Sequence, residues 1–183
     1  MVLTFHTKEI KLKNGNSGTL RSPSVTEANQ LLQYMQTVSG ETEYLTRYSE
    51  EWNIPIEKEV AWIKYTNASP RALSISCYLE GKIAGNCNIN LGNTIKSAHI
   101  ATIGITVLRD YWNLGIGSAM LSELIEFAKI HRTEIIELEF AEGNDRAKKL
   151  YEKFGFRIVA EKPNALKLKN GTHMKIFYMQ KYL

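Results

Sequence analysis

Cysteine is almost missing from this chain: Cys77 and Cys87 are the only two in 183 residues. Two cannot build a disulfide framework or a four-ligand zinc site, and neither stands in a Cys-x-x-Cys pair. Both are expected to be reduced, buried thiols, and no metal site is expected. Long apolar runs are missing too. No stretch approaches the ~20 residues that span a bilayer, and Lys8, Glu9 and Lys11 do not fit a signal peptide. The expectation is a cytoplasmic protein with no membrane partner. The four prolines and twelve glycines never gather into a linker, and neither repeats nor low-complexity tracts occur. The reading is a single domain over residues 1–183, long enough to bury one core. Charge of one sign is only in mild excess, at +4 with a pI near 9.0. The basic residues are scattered, with Lys162, Lys167, Lys169, Lys175 and Lys181 making the C-terminal region the most basic. With no stacking-aromatic motif beside them, they argue against a nucleic-acid partner. A polyanionic small ligand, such as a phosphorylated cofactor, accounts for the same balance.

What is present is ordered and periodic. Thr4 to Arg21 alternates loosely around Asn14-Gly15, a dipeptide suited to a tight hairpin turn. Ser24 and Glu27 have capping-box spacing before Ala28, Leu31, Leu32 and Met35, which predicts a first helix. A second helix is predicted from Ile56 to Tyr65, ending before Ser69-Pro70. From Ala72 the period becomes two, and Glu80-Gly81 divides a hairpin whose second arm is Ile83 to Leu91. His99 to Val107 reads as an apolar strand in which Gly104 marks a bulge or a close backbone approach. A helix then follows with Ile116, Met120, Leu124, Phe127 and Ala128 on one face. Ile135 to Phe140 is the next strand. A helix from Asp145 carries Ala147, Leu150, Tyr151 and Phe154 on one face and stops at Gly155. Phe156 to Ala160 and Ile176 to Tyr182 complete the predicted strands.

Chemistry concentrates at two junctions. Val107-Leu108-Arg109-Asp110-Tyr111-Trp112-Asn113-Leu114-Gly115-Ile116-Gly117-Ser118 joins an apolar strand to an amphipathic helix. A helix N-terminus placed there offers unpaired N–H groups and a positive dipole end, the geometry that binds phosphate. A dinucleotide fingerprint requires glycine at position 120, where Met120 stands. A Walker A loop requires Gly-Lys-Ser/Thr, where Gly117 is followed by Ser118 and Ala119. Taken alone, the two glycines fit a tight turn with close helix packing equally well. The second junction is Asn144-x-x-Ala147-x-x-Leu150-Tyr151-x-x-Phe154-Gly155-Phe156, after a strand ending Leu138-Glu139-Phe140. Together the two strings resemble the cofactor motifs of the GCN5-related N-acetyltransferase (GNAT) superfamily, in its branch acting on small amines and ribosomal-protein termini. The resemblance runs from about Leu73 to the end of the chain.

The resemblance implies an α/β (α+β) fold. Its sheet is mixed and mostly antiparallel, with six or seven strands, helices on both faces, and a splay between the fourth and fifth strands. It implies acetyl-CoA as cosubstrate. The backbone of Ile105 and Val107 would pair with the pantetheine arm. The loop of Asn113, Gly115, Ile116, Gly117 and Ser118 would receive the pyrophosphate, and Asn144 would orient the cofactor or a nearby water. Tyr151 occupies the position whose hydroxyl protonates the leaving sulfur, although by spacing alone, sharing a face with Leu150 and Phe154, it reads as a core residue. The family usually has Gln or Arg where Trp112 stands and often Gly at Asn113, which puts a side-chain phosphate contact from position 112 in doubt.

The general base is open between Glu139, Glu142 and His99 on spacing alone. Glu41, Glu43 and Tyr44, in the polar segment between the first two helices, are candidates for binding a cationic acceptor or are simply solvated. The function implied is acetyl transfer to the amine of a small molecule or amino acid. The alternatives are a protein N-terminal acetyltransferase and a non-catalytic acyl-CoA sensor. Family habit also suggests a homodimer.

Overall fold

The computed structural model describes residues 5–183. Thr4, the expected start of the N-terminal hairpin, lies outside them. The hairpin itself forms from β1 (Lys8–Lys11) and β2 (Ser17–Arg21), and a 3-10 turn, Val25–Glu27, leads into α1 (Ala28–Gly40). After a second 3-10 turn, Ser49–Trp52, come α2 (Ile56–Ala68), β3 (Ala72–Leu79), β4 (Lys82–Leu91) and β5 (Ile100–Val107). A third 3-10 turn, Arg109–Tyr111, precedes α3 (Ile116–Ile130) and β6 (Ile135–Ala141). The chain continues as α4 (Asp145–Lys153), β7 (Arg157–Lys167) and β8 (His173–Tyr182).

One eight-stranded sheet runs in the order β1-β2-β3-β4-β5-β6-β8-β7. Neighbours are antiparallel except β5 and β6, so the fold is the expected mixed, mostly antiparallel one. The strand count is eight because both arms of the N-terminal hairpin join the sheet, Thr19 to Arg21 pairing with Ser76 to Tyr78. The strands expected as fourth and fifth are therefore β5 and β6. They stay in register over only three pairs, Ile100, Ala101 and Thr102 with Ile135, Ile136 and Glu137, and then part.

Helices cover both faces. On one, α3 buries Ile116, Met120, Leu121, Leu124, Ile125, Phe127 and Ala128 against Leu73, Ile75, Cys77, Cys87, Ile89, Ile103, Ile136 and Leu138. At ~1.5–3 kcal/mol for each fully buried large aliphatic side chain, this layer is the main apolar contribution to stability. On the other face, Leu31, Tyr34 and Val38 of α1 and Ile63 of α2 pack on Tyr78 and Ile83. A bulge divides the two sets. Cys77 stands opposite Gly85 but Tyr78 opposite Ile83, so Ala84 is the extra residue and alternation restarts there. Next to it α3 crosses β4 closely: a Cβ on Gly85 would lie 3.0 Å from Met120 Cε and 3.1 Å from Ile116 Cγ2. This crossing anchors the N-terminus of α3 beside the end of β5. The β4–β5 register is unbroken through Gly104. That glycine marks a close approach, since a Cβ there would lie 2.8 Å from Asn88 Oδ1.

Candidate active site

The parting of β5 from β6 exposes one backbone edge, and the pairing shows which residues own it. Leu108 N–H donates to Ala84 O at 3.0 Å and Gly92 N–H donates to Ile100 O at 2.8 Å, so the even-numbered residues of β5 bond toward β4. His99 O accepts from Glu134 and Ile135 N–H on the other side. By strand alternation, Ile103, Ile105 and Val107 direct their N–H and C=O groups into the gap. The carbonyl of Val107 already accepts from Trp112 Nε1 at 2.8 Å. The open groups at the splayed end are thus those of Ile105 and the N–H of Val107.

The gap opens into a cleft of about 880 Å³ lined by Ile105, Val107, Asn113, Gly115, Ile116, Gly117, Ser118, Asn144 and Tyr151. All nine predicted cofactor residues meet there. Asn113 has φ 63° and Gly115 has φ 97°, and these left-handed residues turn the chain sharply into α3. The first backbone bond of the helix is Ala119 N–H to Gly115 O, and no side chain caps its start. The N–H groups of Ile116, Gly117 and Ser118 therefore face the cleft unpaired, a cradle suited to a pyrophosphate. Gly117 is helical rather than positive in φ. What favours glycine there is space, because a Cβ would lie 3.1 Å from Leu150 Cδ2 of α4, which would have to give way.

Asn144 caps α4, its Oδ1 accepting from Ala147 N–H at 3.3 Å. Tyr151 lies about two turns further along α4, its ring buried between Phe140 and Phe156 at centroid distances of 6.4 and 5.9 Å. The residue is thus a core residue that also lines the cleft. Thr133 Oγ1 is the one buried side-chain oxygen or nitrogen left without a partner among the described residues. The Tyr151 hydroxyl, which bonds to no described side chain or backbone group, thus opens into the cleft. Burial pushes its pKa up to about 12, which keeps it a proton-bearing phenol at neutral pH.

The three acceptor candidates line the other end of the cleft. Glu41 is already engaged: its Oε2 accepts Arg109 N–H at 2.8 Å, and the Arg109 guanidinium donates to the Glu41 carbonyl. This ties the end of α1 to the end of β5. Tyr44 packs over the turn after β6, with Cε1 3.5 Å from where a Cβ of Gly143 would stand. Glu43 stays exposed. The candidate bases are not gathered with them. Glu139 projects from the open sheet face opposite Tyr178, and Glu142 accepts Lys175 N–H at 3.5 Å. His99 lies at the far end of β5, and none of the three lines the cleft. A second concavity of about 700 Å³, around Arg71, Asn90, Thr102 and Glu137, holds no motif residue.

Sequence reasoning missed several cleft residues: Lys13 from the N-terminal hairpin, and Arg146, Lys149 and Lys153 from α4. Trp112, whose role was in doubt, holds the end of β5 and carries the Arg146 guanidinium 3.7 Å from its ring centroid. A run of α4 cations was visible in the sequence, but Lys13 carried no local signal.

Residues 38–156 match the family model of the acetyltransferase (GNAT) family. The chain belongs to this family. It is an acetyltransferase, with the acetyl-CoA cosubstrate that the family uses. It is 27% identical over 133 residues to an L-amino acid N-acetyltransferase of Escherichia coli K12, an overlap covering 72% of this chain and 82% of that one. A GNAT-family acetyltransferase from Streptococcus pneumoniae superposes with a TM-score of 0.85 at 26% identity, covering 91% and 99% of the two chains. An acetyltransferase-like structure from Salmonella typhimurium, solved with its cofactor acetyl-CoA, shares the fold at a TM-score of 0.78 and 15% identity over 92% and 95%. Among the described residues no helix is long and apolar enough to cross a membrane, and no cluster of three potential metal ligands occurs.

Proposed function

We propose that this protein transfers the acetyl group of acetyl-CoA to the primary amine of an amino acid or other small molecule, by direct attack in a ternary complex. The observation that carries the reading is that the open edge of β5, the uncapped start of α3 and the Tyr151 hydroxyl share one cleft. A thioester whose phosphates sit on the N–H groups of Ile116, Gly117 and Ser118 has its pantetheine arm beside Ile105 and Val107, as one strand lies beside another. The N–H of Val107 or Ile105 then donates to the carbonyl oxygen as it gains charge. The amine nitrogen forms the new C–N bond, the C–S bond breaks, and the Tyr151 hydroxyl gives its proton to the departing sulfur. The amine's own proton leaves through water, and the candidate acceptors Glu139, Glu142 and His99 all lie outside the cleft lining.

An amino-acid acceptor is favoured by the Escherichia coli relative. Carboxylates at the α1 end of the cleft suit an ammonium group approaching from that side. The test is thiol release from acetyl-CoA against a panel of L-amino acids, small amines and short peptides with free N-termini. Turnover with amino acids or small amines is expected. Turnover with peptides alone would move the function to protein N-termini, and binding without turnover on any acceptor would make the protein a sensor.

A further inference from the structure

Four cations gather at the α3 end of the cleft. Arg146, Lys149 and Lys153 follow one another at i, i+3 and i+7, so they share one face of α4. Lys13 approaches from the opposite wall. It sits in the turn of the N-terminal hairpin, outside the stretch that matches the family model, and the turn is docked rather than loose. Leu12 is buried in the core, Leu12 N–H donates to Asn16 O at 2.8 Å, and Lys13 N–H donates to Leu114 O of the glycine loop at 3.1 Å. The Lys13 side chain runs past the loop, with Cγ 4.0 Å from where a Cβ of Gly115 would stand.

The ion pairs formed among the described residues leave all four cations out, although the adjacent Lys148 pairs with Glu152. Three carboxylates also line the cleft: Glu41 and Glu43 at the acceptor end, and Asp145 in the first turn of α4. Arg109 also lines the acceptor end and is engaged by Glu41, whereas Asp145 is the one carboxylate beside the four cations, so the excess positive charge lies at the α3 end. The three backbone N–H groups of α3 provide for a pyrophosphate, but they do not account for four further cations around its outer end. A second phosphate outside the pyrophosphate does. In a CoA thioester that group is the 3′-phosphate of the adenosine.

We propose that Lys13, with Arg146, Lys149 and Lys153, forms a cationic collar that binds this 3′-phosphate and makes the enzyme select CoA thioesters over their 3′-dephospho forms. The collar rests on the acetyl-CoA reading of the cleft, and the measurement separates the two. Acetyl-CoA and acetyl-3′-dephospho-CoA are compared as donors by kcat/KM, and CoA and 3′-dephospho-CoA by calorimetric binding. The parent protein is expected to prefer the 3′-phosphorylated donor by about tenfold or more, the worth of one or two charge-assisted hydrogen bonds at a partly solvated site. Lys13→Ala should reduce that ratio about three- to tenfold, and Lys13→Arg should restore it. Lys13→Ala combined with Lys149→Ala and Lys153→Ala should bring it to within about twofold of one. Lys13 is exposed and its backbone bond to Leu114 survives the change to Ala, so these variants should fold. Equal use of both donors by the parent protein overturns the collar while leaving the cleft assignment standing. A Lys13→Ala protein that loses both donors equally places Lys13 on the pyrophosphate instead, and also overturns it. Failure of both nucleotides to bind refutes the underlying donor reading.

Discussion

Replacing Tyr151 with Phe removes one oxygen from a ring otherwise held by Phe140 and Phe156. Because that oxygen makes no hydrogen bond within the described chain, the stability cost should stay below about 1 kcal/mol, or a few degrees in Tm. The hydroxyl's proposed role lies in the transition state. Its loss should lower kcat by about 10²–10⁴-fold, equivalent to about 2.7–5.4 kcal/mol of barrier, while acetyl-CoA affinity stays near the parent's. The pH dependence supplies an independent check. Burial raises the phenol from 10.0 to about 12 in the folded protein. Its contribution to stability is thus complete below pH 10 and is lost as the pH rises from 10 toward 12. Tyr151 therefore stays protonated through the working range, and no falling limb in kcat below about pH 10 should be assignable to it. The assay is single-turnover acetyl transfer with the preferred amine, which isolates chemistry from product release. A Phe variant that matches the parent in that step would mean that Tyr151 is a core residue and that water protonates the sulfur.

Gly117→Val should fold with a loss of about 1 kcal/mol and give no rise in Tm with acetyl-CoA, because its side chain enters the space beside Leu150 and the cradle; a parental rise would remove Gly117 from the site. Glu41 and Glu43 should separate: Glu41→Ala should cost about 1 kcal/mol in urea unfolding by stranding Arg109 N–H, whereas Glu43→Gln should leave stability alone and raise the acceptor's KM. Glu27, pulled below the usual carboxylate range by Arg21, also accepts Ser24 N–H at 2.7 Å. The stability this carboxylate contributes is present above its unfolded pKa of ~4.3 and is lost as the pH falls through its lower folded value. The Tm gap between parent and Glu27→Gln should accordingly be full near neutrality and shrink in acid; a gap that stays constant would refute the pairing.

Elements were legible where their signal was local. The Glu80-Gly81 turn adopts positive φ at both residues, 49° and 77°, as the dipeptide and the flanking alternation predict. All five apolar residues predicted for one face of α3 are buried. The two C-terminal strands run longer than the predicted Phe156 to Ala160 and Ile176 to Tyr182. In the structure β7 is an edge strand that continues to Lys167. Its register shift between Lys162 and Leu166 absorbs Pro163 and the left-handed Asn164. The site shows the same division. The glycine loop and the Asn144 to Phe156 string carry their spacing with them. By contrast, the bond between Glu41 and Arg109 spans 68 residues, and the docking of Lys13 on Leu114 depends on the hairpin turn meeting a distant loop. Neither leaves a periodicity, so only the assembled sheet reveals them. Glu139 and Glu142 were legible by their place on or just past β6, whereas their distance from the cleft depends on the assembled sheet.

The gap between β5 and β6 is held open from both walls. On one wall, β5 stays on β4 to its end: Leu108 N–H reaches Ala84 O, Trp112 Nε1 occupies Val107 O, and Arg109 is tied to Glu41. On the other, β6 pairs β8 through Ala141 and Ile176, Glu142 N–H continues that pairing to Lys175 O at 2.9 Å, and Tyr44 packs on the turn at Gly143. Each strand is thus satisfied on its outer side, and nothing among the described residues competes for the inner edge of Ile105 or the N–H of Val107. The edge is partly buried and lines the cleft, so an extended ligand can pair with it as a strand would. Because the walls are fixed by bonds made within the chain, the ordering cost falls on folding rather than on binding. In the proposed reaction the N–H groups of Ile105 and Val107 would then be in place before the substrate arrives, which is the condition for electrostatic stabilisation of a transition state.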